Sequence, residues 1–217
     1  MKTTSELLEQ KKNLFIVGLM GGIASGKSTV GKMFQKLGSE LVEADKIAHR
    51  ILEYKVVKKN IVDIWGESLL VEDKIDRKAL GKIVFNQSTE LTRLEKIIHP
   101  VLRKRIFQKL KHLSQKNKKI VVLDIALLWE NGLKEICDIL VFVDTPLSVR
   151  KKRASNNRNW KESEVPIREQ FQESIDVKKK AAHFVIQNKG DISQTWENVN
   201  NLWKIIVEKS KEYGLCS

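Results

Sequence analysis

Several residue types are scarce in this 217-residue chain, which has two cysteines, three prolines and eleven glycines. Two cysteines without a Cys-x-x-Cys pair provide no disulfide framework. The low glycine and proline content excludes a collagen-like chain and a Pro/Gly-rich disordered chain. The longest apolar stretches, residues 14–24 and 120–129, fall short of the roughly 20 residues that a membrane-spanning helix needs. We therefore predict a soluble, cytoplasmic protein without a membrane partner.

Positive charge is in excess. The chain has 40 Lys and Arg residues and 27 Asp and Glu residues, which gives a formal net charge of +13. Such an excess is typical of proteins that bind nucleic acids, membrane surfaces or small polyphosphates, and also of a simple lysine-rich surface. Apolar residues make up 41% of the chain, which is enough for a packed core. A chain of this length favours one domain, with or without inserted subdomains.

Five short apolar runs alternate with helical patterns along the chain. The runs are residues 14–19, 40–44, 120–124, 139–144 and 183–186. Strands that alternate with helices indicate an α/β fold, here a parallel five-stranded sheet covered by helices. Two charged helical insertions, about 46–117 and 150–180, interrupt the core segments, which are about 13–45, 118–149 and 181–209. We predict that residues 1–217 form a single domain.

The first insertion is predicted to contain helices and no strand. Its clearest helical patterns cover residues 76–85 and 89–113. Pro100 is predicted either to begin a new helix or to kink the second of these helices, because proline removes a backbone hydrogen bond.

A phosphate-binding motif follows the first predicted strand and precedes the first predicted helix. Residues 21–28, GGIASGKS, match the pattern G-x-x-x-x-G-K-[ST]. Backbone N–H groups and the helix N-terminus would hold the phosphates, Lys27 would reach the β- and γ-phosphates, and Ser28 would bind Mg²⁺. The predicted ATP-binding residues are Gly21, Gly22, Ile23, Ala24, Ser25, Gly26, Lys27, Ser28 and Thr29. A chance match in a glycine-rich turn is the alternative, and the strand–loop–helix context disfavours it.

A longer string, GLMGGIASGKSTVGKMFQKLGSELVEADKIAH at 18–49, strongly resembles the dephospho-CoA kinase family. Further landmarks of that family follow in the same order. They are Ile75-Asp76-Arg77, Val84-Phe85, His99-Pro100, the string VLDIALLWE at 122–130, Arg168 to Gln172, and Val185-Ile186 with Asn188 and Gly190. The resemblance covers about residues 13–207.

That resemblance implies a P-loop kinase fold and a specific reaction. The γ-phosphoryl group of ATP would pass to the ribose 3′-hydroxyl of dephospho-CoA, giving CoA and ADP in the last step of coenzyme A biosynthesis. The insertion 46–117 would bind the acceptor, and 150–180 would form a lid. ATP, Mg²⁺ and dephospho-CoA are the expected ligands, with no nucleic acid, and the protein would be a monomer or a weak homo-oligomer.

The chain departs from the family pattern at a few positions. Met20 replaces Thr, Glu43 replaces the first Asp of D-A-D, and His183 replaces Asp. Ala126 replaces Pro and Trp129 replaces Phe, and we interpret both replacements as changes in packing. Ala24 replaces a glycine, which either tightens the loop or is harmless if its φ angle is negative.

Asp45 lies just past the second predicted strand, where ligands collect in parallel sheets. Its carboxylate could orient the acceptor hydroxyl and accept its proton, or it could cap the following helix. The residues alone leave these two roles open, and the family resemblance implies the catalytic role. Asp124 ends the third apolar run and is a candidate Mg²⁺ ligand together with Ser28; capping of a turn is the alternative.

Three arginines fall at the start of the second insertion: Arg150, Arg153 and Arg158. Arginine can neutralise a phosphoryl group during transfer, and the resemblance implies lid arginines in this region. Arg153 is assigned to catalysis; Arg158 lies one residue further away than the family spacing. A solvated helix face is the alternative for all three.

Candidate acceptor contacts lie in the first insertion. Arg77, His99 and Arg103 are predicted to contact the acceptor, and Arg105 is a further candidate for its diphosphate. Exposed helix charge is the alternative for the arginines, and a structural role is the alternative for His99. Trp129 and Trp160 are predicted either to stack on adenine or simply to pack.

Two other functions are compatible with parts of the sequence. One is a kinase of the same fold for another small metabolite or nucleotide. The other is a nucleic-acid-stimulated ATPase, which the net charge favours, although the chain contains no RRM, zinc-finger or KH signature.

Overall fold

A computed structural model describes residues 11, 13–116, 119–125, 128–129, 132–158, 160–161 and 163–213. The predictions for position 126, for the Arg158 side chain and for most of residues 1–13 lie outside the described residues. The chain divides into two compact units: residues 1–43 with 107–217, and residues 44–106.

The described strands are numbered in chain order. They are β1 (Phe15–Met20), β2 (Glu40–Glu43), β3 (Leu70–Val71), β4 (Lys74–Ile75), β5 (Ile120–Asp124), β6 (Ile139–Asp144) and β7 (Phe184–Gln187). The described α-helices are α1 (Lys27–Lys36), α2 (Ala44–Ile51), α3 (Lys55–Trp65), α4 (Arg77–Val84), α5 (Ser88–Gln115), α6 (Leu147–Arg158), α7 (Glu164–Glu169), α8 (Ile175–Lys180) and α9 (Ile192–Glu212). Among these helices, none combines the length and apolar composition that a membrane crossing requires.

The first unit is built on a five-stranded sheet with the order β2-β5-β1-β6-β7. All its pairings are parallel, so the carboxyl ends of the strands share one edge. The central strand β1 is buried along its whole length, as expected of a parallel strand covered on both faces. Leu19 of β1 lies opposite Asp124 of β5, and Met20 lies opposite Phe142 of β6. The predicted fold class is confirmed, and the predicted strands differ from the observed ones by at most one residue at either end.

Helices α1 and α9 contribute to one apolar core with the sheet. Val30 and Phe34 of α1 belong to the same buried cluster as Val199 and Ile206 of α9 and the strand residue Val17. Burial of each such side chain contributes about 1.5–3 kcal/mol to folding. The core therefore fixes β1 and α1, the two elements that flank the phosphate-binding motif.

The second unit is mainly helical but contains a short antiparallel hairpin, which pairs β3 with β4. The prediction that this region has no strand is wrong. Its turn residues Glu72 and Asp73 have positive φ angles of 49° and 60°, and Lys58 Nζ donates to the Asp73 carbonyl at 2.8 Å. Two-residue strands show no hydrophobic alternation, and the turn lacks the Asn-Gly or Asp-Gly pair that normally identifies such a hairpin.

Helix α5 is continuous from Ser88 to Gln115 and contains Pro100 inside it. The alternative in which Pro100 begins a new helix is therefore wrong.

Candidate active site

The phosphate-binding motif joins the central strand β1 to helix α1. We refer to residues 21–26 as the phosphate loop. Gly26 has a φ angle of +91°, a conformation that glycine adopts without the steric penalty of a side chain. Its carbonyl accepts a hydrogen bond from the Val30 N–H at 3.0 Å, which closes the first helical turn. The loop therefore leads directly into a helix N-terminus, where unpaired N–H groups and the helix dipole favour an anion.

The ammonium group of Lys27 lies against the beginning of the phosphate loop. Its Nζ atom donates to the carbonyl oxygens of Gly21 and Gly22, each at 3.0 Å. Ser28 and Thr29 follow in the first turn of α1 and are exposed. This arrangement keeps the positive charge at the loop, and the two following hydroxyl groups are accessible.

The carbonyl oxygen of Ser25 accepts hydrogen bonds from three side chains. Thr145 Oγ1 and Asn188 Nδ2 each donate at 2.8 Å, and Arg153 Nη1 donates at 3.2 Å. In a planar trans peptide the C=O and the following N–H point in opposite directions. The three donors therefore orient the Gly26 N–H away from themselves.

Asn188 connects four parts of the first unit through its polar atoms. Its Oδ1 atom accepts from Arg153 Nη2 and from Thr195 Oγ1, each at 3.2 Å, while its backbone N–H donates to the Asp144 carbonyl at 2.8 Å. The residue is only 4% exposed, so these bonds satisfy amide groups that water cannot reach. Asn188 thus ties the ends of β6 and β7, helix α6 and the start of α9 to the loop.

Ile23 is held through both its backbone groups. Its N–H donates to Glu169 Oε1 at 2.8 Å, and its carbonyl accepts from Arg150 Nη1 at 3.3 Å. Arg150 also forms an ion pair with Glu169 and donates from Nε to the Thr145 carbonyl at 3.1 Å. Arg150 is 4% exposed, so its guanidinium is committed to these partners.

Arg150 and Arg153, two of the arginines predicted to act in a lid, thus both contact the phosphate loop. Arg150 binds the carbonyl of Ile23 and Arg153 that of Ser25. Partial burial lowers the pKa of the Arg153 guanidinium.

Ala24 has a φ angle of +58°, in the left-handed region. The alternative that Ala24 is harmless because of a negative φ is therefore wrong. A non-glycine residue in this region is strained by about 1–2 kcal/mol, because its Cβ approaches the following carbonyl oxygen. Arg150 holds the peptide before Ala24 at the Ile23 carbonyl, and Asn188 and Thr145 hold the Ser25 carbonyl one peptide further on, so the strained residue lies between two fixed carbonyl groups.

Asp124 is the last residue of β5 and is buried at the carboxyl edge of the sheet, beside the strand that leads into the phosphate loop. A carboxylate and the Ser28 hydroxyl are hard oxygen ligands of the kind that Mg²⁺ prefers. Within the described residues, no group of three or more His, Cys, Asp or Glu side chains can hold a metal. A Mg²⁺ ion that takes most of its ligands from phosphates and water does not need such a group.

Asp45 belongs to the second unit, two residues after the end of β2. Helix α2 begins at Ala44, so Asp45 lies inside its first turn and not at the N-cap position that the capping alternative requires. The side chain is exposed. A carboxylate in a first helical turn is favourable, and here it is also accessible to a ligand.

The other candidate acceptor residues also lie in the second unit. Arg77 is the first residue of α4, is exposed, and follows Asp76, whose carboxylate accepts from the Lys78 and Ala79 N–H groups. His99 and Arg103 are four residues apart on α5 and therefore share a helix face.

Cations cover several aromatic rings in the described part of the chain. The Arg105 guanidinium lies 4.9 Å from the centre of the Tyr54 ring. Lys134 Nζ lies 3.6 Å from the Trp129 ring centre, and the Arg168 guanidinium lies 4.0 Å from that of Trp160. These cation–π contacts favour the packing alternative for both tryptophans.

Known proteins resemble this chain over most of its length. A model of the dephospho-CoA kinase family matches residues 15–194. The chain belongs to the dephospho-CoA kinase family.

Individual members of the dephospho-CoA kinase family are similar over most of their length. A dephospho-CoA kinase of Bacillus licheniformis is 37% identical over 189 residues, 86% of this chain and 94% of that protein. One of Carboxydothermus hydrogenoformans is 38% identical over 195 residues, 87% and 94% of the two chains. Among solved structures, TT1252 from Thermus thermophilus has a TM-score of 0.75 at 29% identity and covers 91% of this chain and 98% of its own. Dephospho-CoA kinase from Campylobacter jejuni has a TM-score of 0.65 at 31% identity, with the same coverage.

Three residues that hold the phosphate loop were not predicted as site residues: Thr145, Asn188, which is predicted only as a family landmark, and Glu169. Thr145 directly follows β6 at the carboxyl edge of the sheet, and that position is a signal that could have identified it. Glu169 ends a short charged helix 146 residues away from its partner Ile23, and no local pattern distinguishes it from its charged neighbours.

Proposed function

We propose that this chain transfers the γ-phosphoryl group of ATP to the ribose 3′-hydroxyl of dephospho-CoA, giving CoA and ADP. The observation that carries this proposal is the phosphate loop, which combines Lys27 with peptide groups oriented by side chains from distant elements. Membership of the dephospho-CoA kinase family supports the choice of acceptor.

In this proposal, residues 21–29 bind the ATP phosphates. The Gly26 N–H, oriented by the three donors on the Ser25 carbonyl, donates to a phosphate oxygen together with N–H groups at the start of α1. Lys27 exchanges a carbonyl partner for the β- and γ-phosphate oxygens. Its charge offsets the negative charge of the triphosphate.

The Ser28 hydroxyl and Asp124 would hold Mg²⁺. When bound, the ion would neutralise phosphate charge during transfer.

Asp45 acts on the acceptor. Its carboxylate accepts a hydrogen bond from the 3′-hydroxyl and takes the proton as the oxygen attacks the γ-phosphorus. Arg77, His99 and Arg103 contact the acceptor, and the two arginines pair with its diphosphate because guanidinium groups match phosphate oxygens. The segment 46–117 forms the acceptor-binding part of the single domain.

Arg153 stabilises the phosphoryl group during transfer, and residues 150–180 form the lid that carries it. Its guanidinium donates to the Ser25 carbonyl, so the positive charge lies beside the phosphate loop. The excess of positive charge attracts both ATP and the acceptor, which are polyanions. The protein acts in the cytoplasm as a monomer or weak homo-oligomer, without nucleic acid.

A panel of acceptors tests the proposal. The purified chain is mixed with Mg²⁺ and ATP, and with dephospho-CoA, a nucleoside monophosphate or single-stranded RNA, and ADP release is measured. We expect ADP release with dephospho-CoA and the appearance of CoA by mass spectrometry. ADP release that responds to the nucleoside monophosphate or to RNA, but not to dephospho-CoA, would contradict the proposal.

A further inference from the structure

A buried ion pair encloses the third residue of the phosphate loop. We propose that Arg150 and Glu169 are positioning residues for ATP, which orient the peptide groups on both sides of Ile23 and thereby set the affinity of the loop for the triphosphate. This inference rests on the proposed function, since it concerns how the same loop recognises ATP.

The hydrogen bonds of Ile23 determine the direction of two neighbouring groups. Because its N–H points to Glu169, the carbonyl of Gly22 in the same planar peptide points the opposite way, and it accepts from Lys27 Nζ at 3.0 Å. Because the Ile23 carbonyl points to Arg150, the N–H of Ala24 points away from Arg150. The pair therefore orients both the anchor of the Lys27 ammonium and a backbone donor of the loop.

Gly22 makes this arrangement possible. A Cβ atom at Gly22 would lie 2.6 Å from Arg150 Nη1 and 2.7 Å from Glu169 Oε1, closer than real Cβ contacts. The ion pair thus packs directly on the loop backbone. This glycine is required for a close approach, in addition to any role in the turn itself.

Loss of Arg150 and loss of Glu169 should affect ATP binding differently, because only the loss of Arg150 leaves an unneutralised negative charge beside the triphosphate. A lone carboxylate beside the loop would repel the triphosphate, whereas Arg150 neutralises it at a site where the two side chains are only 5% and 16% exposed. The guanidinium of Arg150 also serves three acceptors: the Thr145 carbonyl, the Ile23 carbonyl and the Glu169 carboxylate. A lysine would keep the charge but cannot reproduce the planar fork of donors.

The experiment compares Arg150→Lys, Arg150→Gln and the double variant Arg150→Gln/Glu169→Gln with the unmodified chain. Lys211→Gln is the matched control, because Lys211 forms an ion pair with Glu208 near the end of α9, at 3.0 Å. The dissociation constant of a non-hydrolysable ATP analogue is measured by calorimetry. KM values for ATP and dephospho-CoA are measured separately, and the melting temperature is recorded for each variant.

We expect Arg150→Lys to weaken analogue binding about tenfold, the cost of lost hydrogen bonds to a charged group. Arg150→Gln should weaken it about a hundredfold, because the Glu169 carboxylate is left unpaired beside the phosphates. The double variant should recover about tenfold of that loss, since the unpaired charge is gone. The KM for dephospho-CoA should stay within about twofold in all variants, and the control should resemble the unmodified chain.

Two results would overturn the inference. One is analogue binding within about twofold of the unmodified chain in both Arg150→Lys and Arg150→Gln, whatever the change in melting temperature. The other is an equal rise of both KM values, which would indicate a general structural role. If the unmodified chain itself fails to bind the analogue, the proposed function fails, and this outcome is distinct from both.

Discussion

The two compact units differ in how their candidate site residues are held. In the first unit, backbone groups of the phosphate loop are fixed by side chains from distant elements: Ser25 by Thr145 and Asn188, and Ile23 by Glu169. In the second unit, Asp45 and Arg77 are exposed on the first turns of their helices. The phosphate loop is therefore preorganised by tertiary contacts. The residues that we propose for acceptor recognition are instead side chains that local helices present.

The largest expected effect is that of Lys27→Met. The ammonium group that bridges the Gly21 and Gly22 carbonyls is lost, and with it the charge that offsets the triphosphate. We expect turnover to fall by about a hundredfold to a thousandfold, as for other preorganised charges in active sites. Lys32→Met is the control, because Lys32 is exposed on the same helix. Steady-state turnover that is equal in the two variants would remove Lys27 from the site.

Asp45→Asn tests the second unit in the same way. Loss of the proton acceptor should lower turnover by about a hundredfold to ten-thousandfold. Binding of an ATP analogue should not change, because the proposed role of Asp45 is to accept the proton of the acceptor hydroxyl and not to bind the phosphates. Asp63→Asn, at an exposed position of α3, provides the control. Near-normal turnover by the Asp45→Asn variant would show that Asp45 is not the base.

Ala24→Gly tests how much the strained residue in the phosphate loop destabilises the folded first unit. The substitution removes the steric cost of an alanine at φ +58° but increases the freedom of the unfolded chain. The net expected gain is about 0.5–1 kcal/mol in the free energy of unfolding, measured by denaturant titration. A loss of stability would mean that the alanine methyl group contributes packing that outweighs the strain.

The smallest expected effect concerns pH and compares one carboxylate from each unit. Lys179 donates to Asp144 at 2.8 Å and holds the pKa of that carboxyl below its usual value of 3.8. The pKa of Asp73 is also lowered, by Lys58. A lowered folded-state pKa stabilises the protein above the usual pKa, and this contribution is lost as the pH falls through 3.8 and below.

Asp144→Asn should therefore cost about 0.5 kcal/mol at neutral pH, discounted for the partial exposure of the pair, and should flatten the acid side of the stability curve. Asp73→Asn should change that curve less, since Asp73 is almost fully exposed. Urea unfolding from about pH 3 to about pH 7 measures both. A steeper acid loss in the Asp144→Asn variant would contradict the sign of the pKa shift.

Much of the fold was predictable because its signals are local. The runs 120–124 and 139–144 coincide with β5 and β6, since buried parallel strands are continuous apolar segments. Asp191 caps α9 through the Ser193 and Gln194 N–H groups, and an Asp followed three residues later by a Gln is a local signal of a helix start. The hairpin β3–β4 was missed because its strands are too short to show a pattern.

The candidate site was only partly predictable. The phosphate motif identifies Lys27 and Ser28 by spacing alone. The contacts that hold the loop join residues 120 to 163 positions apart, as between Ser25 and Thr145 or Asn188. The φ angle of Ala24 likewise depends on this tertiary arrangement, which a single sequence does not reveal.

The most direct test follows the phosphoryl group itself. The chain is mixed with isotopically labelled γ-phosphoryl ATP, Mg²⁺ and dephospho-CoA in a single turnover, and the product is analysed by mass spectrometry and phosphorus NMR. We expect the label on the ribose 3′-oxygen of CoA, with one ADP formed for each CoA. Label recovered only as inorganic phosphate, with dephospho-CoA unchanged, would contradict the proposed function.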